Sequence, residues 1–335
     1  MPRTLLLAAC LGALACLAPA QEPKALKVGF VGSDADPYWK VVEAGARKAA
    51  DEAKAELLFK LNPDGNSTTQ LKAIDDLVAA KVDGVVVSLL DFKAQYDGMA
   101  KVGKAVPLAY FNCDLNGTNR VYAAVSDHKQ GGKLAGQLIK EARPDGATVV
   151  LFTGRSQAAF SKDRFQAFAA ELGIADPEKD TKSKDGKYKL LYREPVQDGV
   201  NPAQARENAL DALKQLKDEP NACLVGLWAY HGPAIAQAVK EANLAGKVTI
   251  VAFDDQAPTL QGVEDGLIHA AVVQDAREMA YKTVKAVLAK ARGEAVKGPP
   301  GGLEWVPHRA ATKAGGDGRL KARELNAELT KILAP

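Results

Sequence analysis

The reading of the fold turns on Val248-Thr249-Ile250-Val251-Ala252-Phe253-Asp254-Asp255, followed by His269-Ala270-Ala271-Val272-Val273-Gln274. Each is a short apolar run, rich in β-branched residues, that stops at a polar side chain. A strand buried on both faces of a parallel sheet has this composition, because helices cover it above and below. Near the start of the chain, Leu26-Lys27-Val28-Gly29-Phe30-Val31-Gly32 repeats the pattern and stops at Ser33-Asp34-Ala35-Asp36-Pro37-Tyr38-Trp39. In open α/β sheets, ligands bind beyond the carboxyl ends of the strands. These polar and aromatic ends are therefore expected to face one cleft.

Outward from these runs, strand and helix alternate. Apolar runs at about 26–31, 55–61, 84–90, 107–111 and 120–125 are separated by helical stretches at about 37–53, 67–81 and 92–104. Asp36-Pro37 reads as the N-cap and first residue of the first helix. A helix at about 128–143 opens a second series, with strands at 147–152, 188–193, 222–228, 248–253 and 268–274 and helices at about 157–173, 202–217, 231–244 and 256–265. The polar stretch 176–187 reads as a surface loop and no more. A long amphipathic helix at about 276–293, a Gly/Pro loop and a short strand, Leu303 to Val306, follow, and a further helix is expected at about 319–333. Repeated βαβ units of this kind predict two doubly wound parallel-sheet lobes. Three connections between them would form a hinge.

Bulk properties narrow the function. The 335 residues suit two domains, and 44 basic against 41 acidic residues, with no basic patch interleaved with aromatics, give no case for nucleic acid. The first twenty residues read as a signal peptide: Arg3, an apolar Leu5–Leu17 segment, and Ala18-Pro19-Ala20 as the cleavage site. Export, with a lipid anchor at Cys10 or Cys16 as the lesser alternative, is the expectation. The mature chain then keeps Cys113 and Cys223, too few for a disulfide framework.

Val28-Gly29-Phe30-Val31-Gly32 lacks the third glycine of a dinucleotide fingerprint, and no phosphate-loop motif occurs. The histidines at 128, 231, 269 and 308 lack zinc-site spacing. Asp317 to Glu324 resembles half of a calcium loop, but Lys313 and Gly315 fall where carboxylates would be needed. No cofactor and no metal are expected. Asn66-Ser67-Thr68 and Asn116-Gly117-Thr118 fit the glycosylation sequon, which matters only in a glycosylating host.

Several motifs in order resemble the periplasmic sugar-binding proteins of ABC importers, type I fold, in the ribose- and galactose-binding branch. They are Asp36-Pro37-Tyr38-Trp39, Ser126-Asp127-His128 with Gly131-Gly132 and Ala135-Gly136, Asp163-Arg164 with Ala167-Phe168, Ala252-Phe253-Asp254, Gly262 to Ile268, and Val273-Gln274. The resemblance runs from about Lys27 to Val306. It implies a first lobe of 25–126 plus 275–305, a second lobe of 127–274 plus 306–317, and an additional helix in 318–335.

The resemblance also implies a ligand pocket. The family's first-loop Asn matches Asp36, its stacking aromatics Tyr38 and Trp39, its second-lobe Arg Arg164, and its closing Asp and Gln Asp254 and Gln274. A further Asn falls near Trp228. Its Asp-Arg pair matches Asn112 and Cys113, which loses both charges and implies a different hydroxyl pattern. The residue types suit a sugar: Asp36, Asn112, Asp254 and Gln274 can meet hydroxyls, Arg164 carries five donors, and Tyr38, Trp39 and Trp228 offer flat faces to C–H groups. Simpler readings stand beside these. Asp36 serves equally as a helix cap, one of Tyr38 and Trp39 as a core aromatic, Arg164 as a surface ion-pair partner, and Trp228 as hinge cover. The implied function is a monomeric secreted protein that delivers a monosaccharide or polyol to an ABC importer. A sensory subunit for a membrane receptor and a sugar-acting enzyme are the alternatives.

Overall fold

The computed structural model describes residues 25–33, 38–219 and 221–333. The expected signal peptide with Cys10 and Cys16, and the Asp36-Pro37 cap, lie outside the described residues.

Two sheets organise the chain. The first contains β1 (Lys27–Val31), β2 (Glu56–Lys60), β3 (Gly84–Val87), β4 (Leu108–Phe111), β5 (Tyr122–Ser126) and β12 (Leu303–Val306), in the order β12-β5-β4-β3-β1-β2 and parallel throughout. The second contains β6 (Ala147–Thr153), β7 (Tyr188–Leu190), β8 (Val196–Gln197), β9 (Cys223–Gly226), β10 (Thr249–Phe253), β11 (Ala270–Val273), β13 (Arg309–Thr312) and β14 (Leu320–Lys321). Its order is β14-β13-β11-β10-β9-β6-β7, with β8 also on β6. The two orders match strand for strand from β2 and β7 to β12 and β13. They differ at the edge, where β12 runs parallel to β5 and β13 antiparallel to β11.

Alternation along each strand divides its side chains between two helical layers. Val28 and Phe30 of β1 pack with Trp39, Val42, Ala46 and Ala49 of α1 (Tyr38–Glu52) and with Met279, Val284 and Val287 of α9 (Ala276–Ala291). Val31 faces the other way, with Ile74 and Leu77 of α2 (Ser67–Ala79) and Met99 of α3 (Phe92–Ala105). In the second lobe, α4 (His128–Ala142) and α5 (Ala159–Glu171) cover one face. The other face is covered by α6 (Pro202–Gln215), α7 (His231–Glu241), α8 (Ala257–Asp265) and α10 (Ala322–Leu333).

The chain passes between the sheets three times: from β5 into α4, from β11 into α9, and from β12 through Pro307 and His308 into β13. This is the expected two-lobed α/β fold with a three-segment hinge.

Three local readings need correction. The strand expected over 188–193 ends at Leu190, and a separate two-residue strand, β8, pairs with β6 at Phe152 and Thr153. The stretch 176–187 is more than a loop, because buried Ser183 donates its N–H to the Tyr188 carbonyl at 2.8 Å and ties a turn onto β7. The tail helix begins at Ala322, not near 319, since Leu320 and Lys321 form β14 on β13.

The tail is tied to both lobes. Asn326 of α10 bonds Glu264 of α8 at 3.1 Å, while Glu328 pairs with Arg277 of α9 at 2.6 Å. Val41 of α1 joins the same apolar cluster as Leu329.

Candidate functional site

Four strand ends meet at the hinge. Asn112 follows β4 and donates its backbone N–H to Ala124 of β5 at 2.7 Å; Asp254 follows β10 and donates to Val272 of β11 at 2.8 Å. Both have positive φ, 54° and 64°, an uncommon backbone state for residues other than glycine that Asn and Asp tolerate best. The two residues thus occupy matched turns, and both side chains bond to Gln274. Ser126, ending β5, and Gln274, following β11, occupy the next matched pair of positions.

The four side chains form one hydrogen-bonded chain. Gln274 Oε1 accepts from Ser126 Oγ at 2.9 Å and from Asn112 Nδ2 at 3.4 Å, and Gln274 Nε2 donates to Asp254 Oδ1 at 2.5 Å. Asn112 Oδ1 accepts the Ser126 N–H at 3.2 Å. Residues 112, 254 and 274, named from sequence, are thus brought together.

Arg164 lies on α5 and is 2% exposed. Its depth depends on Gly132 of α4: a Cβ there would stand 2.1 Å from the Arg164 carbonyl, so only glycine lets the helices approach this closely. The guanidinium lies 4.3 Å from the Phe253 ring centroid and 5.3 Å from that of Phe160. Nη1 donates to the Leu227 carbonyl. Burial pushes the pKa of Arg164 down, and the Asp254 carboxylate opposes that shift, as does the Tyr38 phenol to a smaller extent. Tyr38, at the start of α1 in the first lobe, is therefore within electrostatic reach of the second lobe's floor.

The two adjacent aromatics part company. Trp39 is 4% exposed and packs into the first-lobe core, with ring centroids 5.7 Å from Phe111 and 6.5 Å from Phe30. Tyr38 stands edge-on above it at 5.6 Å. Trp228 is half-buried beside Phe160, centroids 5.0 Å apart, and donates its indole N–H to Ser161 Oγ at 2.9 Å. Asp36 lies outside the described residues. Cys113 is buried, accepts the Leu89 N–H at 3.4 Å, and has its thiol pushed up to about 12 by burial. Such a thiol stays protonated and is a poor nucleophile.

Three groups beside Arg164 were missing from the sequence-derived set: Phe160, His128 and His308. His128 begins α4, and its ring lies 5.5 Å from Phe160 and 5.7 Å from His308. His308 sits on the third crossing. Gln130 clamps its backbone, accepting the His308 N–H at 2.8 Å and donating to its carbonyl at 3.2 Å. The ring lies against Gly131, where a Cβ would stand 2.9 Å from Nδ1. Burial, and then the charge of Arg164, push His308 down to about 3 and His128 down to about 2, so both rings are neutral at physiological pH. A neutral imidazole carries one donor and one acceptor, which suits a hydroxyl. Only the Ser126-Asp127-His128 crossing motif hinted at this pair in the sequence.

Below Trp228 lies a second buried network. Asp198 Oδ2 is 2.7 Å from His231 Nε2, and Asp198 Oδ1 accepts from the Tyr230 hydroxyl at 2.5 Å and the Val200 N–H at 2.9 Å. Burial would raise the pKa of Asp198, but the bonds from His231 and Tyr230 outweigh it and hold the carboxyl below its usual range. Asp255 behaves oppositely. Burial and then the neighbouring Asp254 charge push it up to about 7. It borders a cavity of about 170 Å³ with Val41, Arg277, Leu325 and Leu329, between α1, α9 and α10.

Comparison with known proteins identifies the family and the fold. A family model described as a periplasmic binding protein domain matches residues 28–295. The ribose import binding protein RbsB of Escherichia coli K12 is 22% identical over 266 residues, covering 78% of this chain and 83% of that protein. The fructose import binding protein FruE of Bifidobacterium longum is 24% identical over 247 residues, 71% of each chain. Among solved structures, an ABC transporter solute-binding protein from Burkholderia graminis in complex with D-arabinose superposes with a TM-score of 0.75 at 21% identity, covering 90% of this chain and 100% of that one. GanP, a glucose-galactose binding protein from Geobacillus stearothermophilus, gives 0.72 at 25% identity, covering 87% and 99%.

Proposed function

Because the chain belongs to the periplasmic binding protein domain family, we propose that it captures a monosaccharide or related polyol between its two lobes and delivers it to an ABC importer. The observation that carries this reading is the single polar chain Asn112–Ser126–Gln274–Asp254, which joins matched strand ends of both sheets beside Arg164 and two aromatic faces. Such a set offers hydroxyl donors and acceptors from both lobes and apolar surface for C–H groups, and closure around it excludes water. Named relatives that import ribose and fructose support the sugar class.

Binding without turnover fits the chemistry at hand. The Cys113 thiol is buried and protonated, and His231 is engaged at both ring nitrogens. The proposed ligand set is Asp36, Tyr38, Asn112, Arg164, Trp228, Asp254 and Gln274, with Trp39 supporting Tyr38 from beneath. The proposed lobes are 25–126 with 275–305 and 127–274 with 306–317. The proposed location is the periplasm or cell exterior, as a monomer.

The test is a thermal-shift screen of the chain from Gln21 with D-ribose, D-fructose, D-arabinose, D-tagatose, D-allose and D-galactose. A ligand at a hundredfold excess over its Kd stabilises the native state by about 2.7 kcal/mol. One of these sugars is expected to raise Tm, and Asp254→Ala and Gln274→Ala are expected to abolish the rise. A rise that survives both substitutions would move the site elsewhere. Absence of any rise across the panel would overturn the sugar class.

A further inference from the structure

We infer that Asp198 and His231 are positioning residues that fix the Trp228 indole as a wall of the ligand cleft, through a histidine held in one tautomer. This rests on the proposed role of Trp228 in ligand binding, but the geometry that carries it lies behind the cleft. Trp228 is the second residue of the short turn between β9 and α7. Its backbone N–H points at His231 Nδ1, 3.0 Å away. A backbone N–H can only donate, so Nδ1 is unprotonated. The single ring proton of neutral His231 is then on Nε2, where it donates to Asp198 Oδ2 at 2.7 Å.

Both carboxylate oxygens of Asp198 accept, and every contact around them is a donor: His231 Nε2, the Tyr230 hydroxyl and the N–H groups of Val200 and Asn201. An amide in its place would direct an NH2 at one of these donors. The side chains of Asp198 and His231 are wholly buried, and burial favours the neutral ring that the tautomer requires.

The turn so fixed has two outputs. Its first residue, Leu227, donates to the Phe152 carbonyl at 2.9 Å and accepts from Arg164 Nη1. Its second, Trp228, is held at the far end by Ser161 Oγ, which also bonds Thr153 Oγ1 at 3.0 Å. Asp198 is itself set by β8, whose pairing with β6 brings the Asp198 N–H to the Thr153 carbonyl at 3.3 Å. The indole is therefore fixed at three points: N–H to Ser161, backbone to His231, and ring edge against Tyr230 at 6.3 Å. The two-residue strand that the sequence did not reveal exists to place the carboxylate that orders this wall.

The test uses the full mature chain labelled with 5-fluorotryptophan. Its three tryptophans are Trp39, Trp228 and Trp305, and Trp228→Phe assigns the resonance. In His231→Phe and Asp198→Asn, the Trp228 signal is expected to shift and broaden while that of Trp39 stays put, which reports an intact first lobe. Affinity for D-ribose or D-arabinose, whichever the wild type binds, is expected to fall about tenfold or more, as for a buried donor left without its partner. His231→Asn returns an acceptor to the Trp228 N–H and is expected to recover part of both signals.

An unmoved Trp228 resonance in His231→Phe and Asp198→Asn would overturn the inference. So would a moved resonance with unchanged affinity, or equal damage in His231→Asn and His231→Phe. If no sugar of the six-member panel binds the wild type while the Trp228 resonance responds as described, the ligand class fails and the positioning of Trp228 stands.

Discussion

At the scale of single residues, the cleft is built from groups whose ionisation has been moved by burial. Asp255 gives the clearest consequence. Its carboxyl pKa is raised to about 7, so over the range between the ordinary aspartate value and 7 the folded state holds a proton that the unfolded chain has released. Stability from this group is therefore present at low pH and is lost as pH rises through 7. Asp255→Asn, which keeps the neutral shape, is expected to raise Tm more at pH 8 than at pH 5, because the loss accumulates between the ordinary aspartate range and 7; calorimetry at the two values checks this. A variant that lowers Tm equally at both would show that the ionised carboxylate is held by a favourable contact. Asp198 runs the other way, since its depressed pKa means that its contribution fades as pH falls below the usual carboxylate range.

At the scale of elements, what was legible depended on how much apolar sequence an element carries. The core parallel strands announce themselves through buried runs such as Gly84–Val87 and Ala147–Thr153. Arg309–Thr312 and Leu320–Lys321 carry no such run; the first becomes a strand because the edge of β11 has backbone groups to pair, and the second because β13 then offers its own edge. The same holds within the site. Asp254 and Gln274 end apolar strands and could be read directly, whereas the sequence left open which of Tyr38 and Trp39 is the core aromatic; packing with Val42, Ala46 and Ala49 shows it to be Trp39. His308 could not be found that way, since only the third crossing carries it to His128.

The tail helix makes an element-scale prediction. Leu329 is buried between the second-lobe core and Val41 of the first lobe. Leu329→Ala is expected to cost about 2–4 kcal/mol in urea unfolding. A cost well below 1 kcal/mol would mean that α10 is a loosely docked appendage.

At the scale of the whole molecule, the polar floor is covered in this arrangement: Arg164, Asp254 and Gln274 are 2%, 6% and 8% exposed. Ligand entry then requires the lobes to part about the three crossings. Solution scattering is expected to give a larger radius of gyration for the ligand-free protein than for the protein saturated with a bound sugar. Equal radii would show that closure does not depend on ligand.

The order of the crossings also dictates how the molecule comes into being. The first lobe opens the chain, yet the helix that covers its α1 face spans Ala276–Ala291, and its sheet edge is closed by Leu303–Val306. The central strands of the second lobe, β6 to β11, are contiguous between Ala147 and Val273. During synthesis the lobe made first is thus finished last. Until α9 is in place, Trp39 and Val42 wait for Met279 and Val287 across more than two hundred residues. Contacts of such separation form slowly and leave apolar surface uncovered in the interval. A chain cut short after Gln274 would carry all the proposed ligand residues and still expose the face of α1 on which the cleft's first wall stands.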